Sequence, residues 1–380
     1  MDLEAEKILL RTDLNLPLKD GEPQKTLRFE IYLETIEELS ENGKKTVVMA
    51  HQGRPGRNDF TSLQAHSQLL DEELDSKVHF VNSILGSELQ QTLSEMEKGE
   101  IAVLENIRLM SEELKNFSGK KHANAIYINR LAENFDLYVN DAFSVAHRSQ
   151  ASITGFPEII NSTPGPVMTE ELRNCRKIRD EFDSGVLVLG GEKPSDLIGI
   201  IESKIESVDK ILLGGIPGEV ALMAKGHDLG AKAEWIKERE LDSDQTELKE
   251  LMDSRSDKFE IPSDLAAENG DKSPEEVEDL IWDIGSETAE RYAEIIEDAD
   301  SVLMKGPMGA FEQHPEGTKK ILQALKNCNG FTVMGGGHTS SLVKEFGYEI
   351  DDFDHVSIAG GAFVRCVSGG ELPAADALDI

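Results

Sequence analysis

Short apolar runs that stop abruptly in a polar or glycine loop recur down this chain, and that repetition constrains the fold most. Lys7–Leu10 leads into Arg11–Asn15, and Thr46–Met49 into the loop Ala50–Asn58. Ile101–Leu104 leads into Glu105–Arg108, and Leu137-Tyr138-Val139 into a loop holding Asn140, Asp141, His147 and Arg148. Between them Arg28–Glu41, Ser62–Leu74, Glu88–Glu97 and His122–Asn134 read as helices, the first closed near Gly43, and Val78–Phe80 adds a short strand. Apolar strands alternating with helices imply a parallel sheet covered on both faces. Such sheets bind ligands at the carboxyl ends of their strands, so the exit loops are where function is to be sought.

At 380 residues the chain exceeds one ordinary core, and two domains are expected. The alternation pauses at Thr163–Pro166, and Thr169–Glu181 reads as a connecting helix with Thr169 as its N-cap. It then restarts at Val186–Leu189, Lys210–Leu213, Leu280–Ile284, Ser301–Met304, Phe331–Met334 and Val356–Ile358. Lys237–Pro274 is acidic and irregular, with one helix expected near Gln245–Arg255. The fold class is therefore α/β, two doubly wound (Rossmann-like) parallel-sheet domains joined by a helix over 166–182.

Charge narrows the partners. Asp and Glu number 73 against 39 Lys and Arg, a net −34, spread over most helices. Such a surface repels nucleic acid and anionic membranes, and its self-repulsion is relieved by salt. A salt-adapted protein is expected, with a melting temperature that climbs with KCl. No apolar run is long enough to cross a bilayer, and the acidic start MDLEAEKILL lacks the basic region of a secretion signal. Cys175, Cys328 and Cys366 are odd in number and widely spaced, which fits neither a disulfide framework nor a zinc site. A reducing cytoplasm is the expected compartment.

The first half gathers cations at its strand ends. Its exit loops supply Asp13, Asn15, His51, Arg54, Arg108, His147 and Arg148, and Arg28 opens the first helix. Any one arginine could pair with surface acid, which is abundant. The set in so acidic a chain points to a small, multiply anionic ligand, because the guanidinium fork binds carboxylate and phosphate bidentately. Arg11, at a strand edge among hydrophobics, reads as structural. Asp141 and His147 are equally explained as loop-stabilising.

The second half offers glycine instead, at Gly190-Gly191-Glu192-Lys193, Gly214-Gly215, Lys305-Gly306-Pro307-Met308-Gly309 and Gly335-Gly336-Gly337-His338-Thr339. Glycines at a strand end let backbone N–H groups approach a phosphate, and the helix starting near Thr339 turns its positive end there. Neither a P-loop nor a dinucleotide fingerprint is present. A nucleotide cradle is expected, with Glu312 on the ribose. One half for a small anion and one for polyphosphate is a kinase plan.

At these residues the sequence resembles the phosphoglycerate kinase family over essentially its whole length. The family's R-x-D-x-N-x-P stands as Arg11–Pro17, H-x-G-R-P as His51–Pro55, and L-E-N-x-R as Leu104–Arg108. Its N-D-A-F…A-H-R stands as Asn140–Phe143 with Ala146–Arg148, G-G-x-K as Gly190–Lys193, G-P-x-G-x-F-E as Gly306–Glu312, and G-G-G-[DH]-T as Gly335–Thr339. The resemblance implies transfer of the acyl phosphate of 1,3-bisphosphoglycerate to Mg-ADP, giving 3-phosphoglycerate and Mg-ATP. It implies an N-terminal phosphoglycerate domain, 1–165 with a returning tail 367–380, and a nucleotide domain, 183–366. It assigns Asp13, Asn15, Arg28, His51, Arg54, Arg108 and Arg148, with the loop neighbours Gln52 and Gly53, to the phosphoglycerate. It assigns Lys193, Glu312 and Gly335–His338 to the nucleotide, beside Gly190, Gly191, Gly214, Gly215, Lys305, Pro307 and Thr339 of the same loops. Arg28 and Lys193 are the catalytic candidates; no protein metal ligand is expected, magnesium arriving with the nucleotide. A monomer is favoured over a dimer.

The sequence departs from the family pattern at four places. A common lysine is Leu197, the aspartate after the triple glycine is His338, the asparagine before Gly-Pro is Lys305, and the late S-T-G-G-G-A is Ser357-Ile358-Ala359-Gly360-Gly361-Ala362. His338 matches a pattern associated with archaeal members. Lys305 is expected to restore the cation missing at Leu197. The rival expectations are an impaired paralogue that only binds, a kinase of another small acid, and a Rossmann dehydrogenase.

Overall fold

The computed structural model describes residues 4–182 and 184–380, apart from the side chains of 337, 338 and 340. Two compact units emerge, Met1–Arg173 with Glu371–Ile380, and Asn174–Gly370. The described residues of the first unit form a six-stranded parallel sheet, ordered Val78–Val81, Ile101–Leu104, Lys45–Met49, Lys7–Arg11, Leu137–Asn140, Ser162–Pro164.

Its central strands show why an unbroken apolar run makes a parallel strand. Leu9, Val47, Met49, Ala102, Leu104 and Tyr138 enter one core; Ile8, Leu10, Val48, Ile101, Val103 and Val139 enter the other. Successive residues point to opposite faces, and helices cover both. The tail returns to this unit, where Ala374 N–H bonds Ala146 O at 3.0 Å.

In the second unit the described residues form a six-stranded parallel sheet, ordered Phe259–Glu260, Lys210–Leu213, Val186–Leu189, Ser301–Lys305, Phe331–Gly335, His355–Val356. Leu280–Ile284 is not part of it. Ile281–Ile284 pairs antiparallel with Leu265–Ala267, which pairs with Gly270–Lys272, in a separate small sheet. The buried carboxylate of Asp283 unfits that run for a strand apolar on both faces. The small sheet's other two strands lie near the end of the acidic segment that has no clear sequence pattern, and Leu265 and Ile281 pack with Leu222, Leu229, Ala233 and Val277.

Three other local expectations are corrected. The helix expected over His122–Asn134 is two, Gly119–His122 and Ile126–Ala132, because Asn129 Nδ2 occupies the carbonyls of Ala123 and Ala125 at 2.5 and 3.0 Å. The connecting helix begins at Pro166, and Thr169 lies inside it with its hydroxyl on Gly165 O at 2.8 Å. Its early N–H groups are capped from afar: Asp141 Oδ1 accepts Met168 N–H at 3.0 Å. Cys175 and Cys366, expected to be unpaired thiols, form a disulfide with Cα atoms 6.1 Å apart. The two buried cysteines, 191 residues apart, are brought together only by folding.

Candidate functional site

In the first unit the neighbouring strands Ile101–Leu104, Lys45–Met49, Lys7–Arg11 and Leu137–Asn140 end at one edge, and their exits enclose a cavity of about 320 Å³. Its lining is Asn15, His51, Gly53, Arg54, Arg57, Asp59, Arg108 and Arg148. Arg57 and Asp59 escaped sequence reasoning, because both lie beyond the His51–Pro55 motif of that loop, where no motif marks them.

The remaining expected residues build the walls. Asp13 accepts Asn15 N–H at 2.9 Å and the Ser144 hydroxyl, and lies 3.6 Å from Arg28. Burial pushes the Asp13 carboxyl up, but Arg28, His51, Ser144 and Asn15 together outweigh it and hold the pKa at about 2. Arg28 does not line the cavity; its Nη1 reaches Asn15 O at 3.4 Å, and Asn15 Oδ1 receives Gly53 N–H at 2.8 Å. Gln52 is turned inward, with its amide on Leu16 and Asp59 and with His66 Nε2 3.0 Å from its Oε1, so its side chain braces the loop.

Arg11, expected to be merely structural, is fully buried and touches the site. Its Nε donates to Ser152 Oγ at 3.1 Å, and Ser152 Oγ donates to the buried Glu113 at 2.6 Å. Its Nη2 lies 3.1 Å from His51 Nδ1. Arginine can only donate, so Nδ1 is the acceptor and the neutral ring carries its proton on Nε2. Burial first, then Arg11, Arg108 and Arg148, hold the His51 pKa well below the usual imidazole value despite Asp13. Burial lowers Arg108 to about 10, with the charges of Arg148 and Arg11 adding to the fall.

In the second unit the neighbouring strands Lys210–Leu213, Val186–Leu189, Ser301–Lys305 and Phe331–Gly335 likewise end together. Here a cavity of about 600 Å³ is lined by Gly190, Gly191, Lys193, Lys305, Gly306, Pro307, Gly336 and Thr339, with Glu192, Asp196 and Arg365 among its other walls. Gly306 adopts φ +79°, and a Cβ there would meet the backbone of Gly190 and Gly191, so no larger residue fits. Gly214 and Gly215 sit behind the lining: Gly214 N–H bonds Leu189 O at 2.9 Å and Gly215 N–H bonds Met308 O at 2.5 Å. Glu312 is exposed and outside the lining. Gly335 ends its strand, and Gly337 and His338 begin the helix Gly337–Glu345, their side chains outside the described ones.

Lys305 is largely buried, with Asp196 3.7 Å away. Burial lowers its pKa, with Lys193 adding and Asp196 opposing. Leu197 is buried and contributes nothing to this cavity. Arg365, a cation that no motif marks, enters from the helix Gly361–Val367.

The family model for phosphoglycerate kinase matches residues 1–370. The phosphoglycerate kinase of Halorubrum lacusprofundi is 40% identical, with 100% of this chain and 97% of that protein covered. That of Haloarcula marismortui is 37% identical, over 99% of this chain and 97% of that protein. The crystal structure of phosphoglycerate kinase from Pyrococcus horikoshii OT3 superposes with a TM-score of 0.91 at 34% identity, covering 98% of this chain and 96% of that one. The structure of phosphoglycerate kinase from Coxiella burnetii gives 0.79 at 27% identity, covering 100% and 97%.

Proposed function

Because this chain belongs to the phosphoglycerate kinase family, we propose that its arginine cavity takes the phosphoglycerate and its glycine cavity the nucleotide. The protein is a phosphotransferase. It moves a phosphoryl group reversibly between 1,3-bisphosphoglycerate with ADP and 3-phosphoglycerate with ATP, in glycolysis and gluconeogenesis. Nothing in the relatives or the fold favours a paralogue that only binds.

The observation carrying the phosphoglycerate assignment is the crowding of Arg54, Arg108 and Arg148 around one cavity, with Arg11 behind it. Burial first, and then the charges of neighbouring arginines, depress Arg108 and Arg148, and a multiply charged anion relieves the repulsion. In this reading Asn15, His51, Gly53, Arg54, Arg108 and Arg148 bind the phosphoglycerate, with Asp13 fixing Arg28 and Asn15. Gly190, Gly191, Gly336 and Thr339 receive the nucleotide phosphates beside Lys193 and Lys305.

The acceptor carboxylate of 3-phosphoglycerate is already ionised at neutral pH, so the reaction requires no general base. Catalysis then rests on positioning and on neutralising the transferring phosphoryl oxygens, the roles given to Arg28 and Lys193. Magnesium enters as part of the nucleotide substrate. A cytoplasmic monomer adapted to salt completes the reading; −34 net charge and halophilic relatives support the last element.

ATP-dependent turnover of 3-phosphoglycerate, followed in low and molar KCl, tests this directly. Wild-type turnover should rise with salt, and Arg28→Ala should lose about 10²–10³-fold in kcat while still binding nucleotide. An Arg28→Ala enzyme with wild-type kcat would remove Arg28 from the mechanism.

A further inference from the structure

The loop Gly306–Gly309 is the hub of the glycine cradle. Pro307 O accepts Gly191 N–H at 2.7 Å, and Met308 O accepts Gly215 N–H at 2.5 Å. Gly306 N–H donates to Thr339 Oγ1 at 3.0 Å, and that hydroxyl donates to Gly335 O at 2.8 Å. The other glycine exits therefore lean on this loop, and its own placement decides where their backbone stands.

Two buried residues outside the cavity lining hold it from behind. Met308 N–H donates to Thr318 Oγ1 at 3.1 Å. Asp283 Oδ2 receives the Thr318 hydroxyl at 3.2 Å and the Thr318 N–H at 2.9 Å, while Oδ1 receives Ile284 N–H at 2.8 Å. The threonine hydroxyl has one proton to give and lone pairs to receive with, so it relays the carboxylate to the loop. Thr318 is 0% exposed and Asp283 2%. The loop also approaches the same strand directly, with Ala310 N–H on Trp282 O at 2.5 Å and Gly309 so close that a Cβ would strike Asp283. The small antiparallel sheet thus delivers its carboxylate to the back of the cradle.

We propose that Asp283 and Thr318 are positioning residues for the nucleotide, setting the Pro307 loop and through it the glycine backbone that walls the cavity. The inference rests on reading the glycine cavity as the nucleotide site. Removing the hydroxyl leaves a buried N–H and a carboxylate oxygen short of a partner, a defect placed where it shifts one substrate and not the other.

The test measures Kd for Mg-ADP and for 3-phosphoglycerate by calorimetry, with kcat, on the full-length wild type, Thr318→Val and Thr318→Ser. Thr318→Val should weaken Mg-ADP by about tenfold and leave 3-phosphoglycerate within about twofold, and Thr318→Ser should recover most of the loss. If Thr318→Val does not fold, Asp283→Asn gives the same readout. Mg-ADP affinity within twofold of wild type in a folded variant overturns the proposal, as does equal weakening of both substrates with no rescue by serine. Failure of the wild type to bind Mg-ADP at all sinks the site reading itself.

Discussion

The two units place their cavities at the same position, where neighbouring parallel strands end together, yet line them with opposite materials. The first uses side chains: Arg54, Arg108 and Arg148 reach into the cavity, and Arg11 and Asp13 tune what they present. The second uses backbone: Gly190, Gly191, Gly306 and Gly336 leave the wall bare of side chains, with Lys193 and Lys305 as the added charge. On the proposed assignment the difference follows from ligand size. A small anion needs guanidinium forks that span the gap, whereas a longer polyphosphate needs a wall that lets it approach the backbone closely. The first arrangement tolerates crowded like charge, with Arg108 lowered to about 10; the second tolerates strained glycine conformations, such as Gly306 at φ +79°.

Paired substitutions break that contrast most sharply. Arg108→Lys keeps the charge and loses the fork, so KM for 3-phosphoglycerate should rise about tenfold with nucleotide KM unchanged. Gly306→Ala should do the reverse, raising nucleotide KM by at least about tenfold and sparing 3-phosphoglycerate. Steady-state kinetics with each substrate varied in turn would show it; if either variant moved both constants equally, the two cavities would not be independent binding sites.

A smaller effect sharpens the second unit's exception to its backbone rule. Lys305 is a buried cation in the glycine cavity, and Lys305→Asn should lower turnover several-fold, by about 1 kcal/mol of lost charge stabilisation. Unchanged turnover would show that Lys305 is not needed for that charge beside Lys193 and Arg365.

The last comparison is of stability, with the smallest effect expected on turnover, and concerns what lies behind the cavities. Each unit buries a carboxylate there, Asp141 in the first and Asp283 in the second, and burial raises them to about 6 and about 7. A carboxyl whose folded pKa is raised contributes stability that is present below its ordinary value of 3.8 and lost as pH rises through the folded value. For Asp141 the loss is on the order of 3 kcal/mol between about pH 4 and pH 6. Asp141→Asn retains an acceptor for Met168 and removes the charge. Its melting temperature should therefore exceed wild type at about pH 7.5 and show a much smaller gain at about pH 4.5. Equal shifts at both pH values would mean that ionisation of Asp141 is not the cause.

Much of both cavities was legible because strand ends punctuate the sequence. Apolar runs buried on both faces announce themselves residue by residue, and the loops after them carry His51, Arg54, Arg108, Gly190 and Gly306 at short, fixed spacing. Gln52 shows the limit of that reading, since a residue inside a binding loop can face inward. Glu312 shows it again, standing exposed beside a loop whose glycines line the cavity.

The sequence by itself determined the central parallel strands, most of their helical partners and the exit loops, because each depends on side-chain pattern within a few residues; the edge strands Ser162–Pro164 and Phe259–Glu260 are too short to carry one. Only tertiary structure decided that Arg11 meets His51, that Asp141 caps the helix beginning at Pro166, and that Cys175 pairs with Cys366. It likewise decided that Ile281–Ile284 leaves the parallel sheet and carries Asp283 to Thr318. These are contacts between residues tens to nearly two hundred positions apart. Apart from the disulfide, each satisfies a buried polar group that would cost stability without a partner, and in every case the partner is specified by three-dimensional proximity.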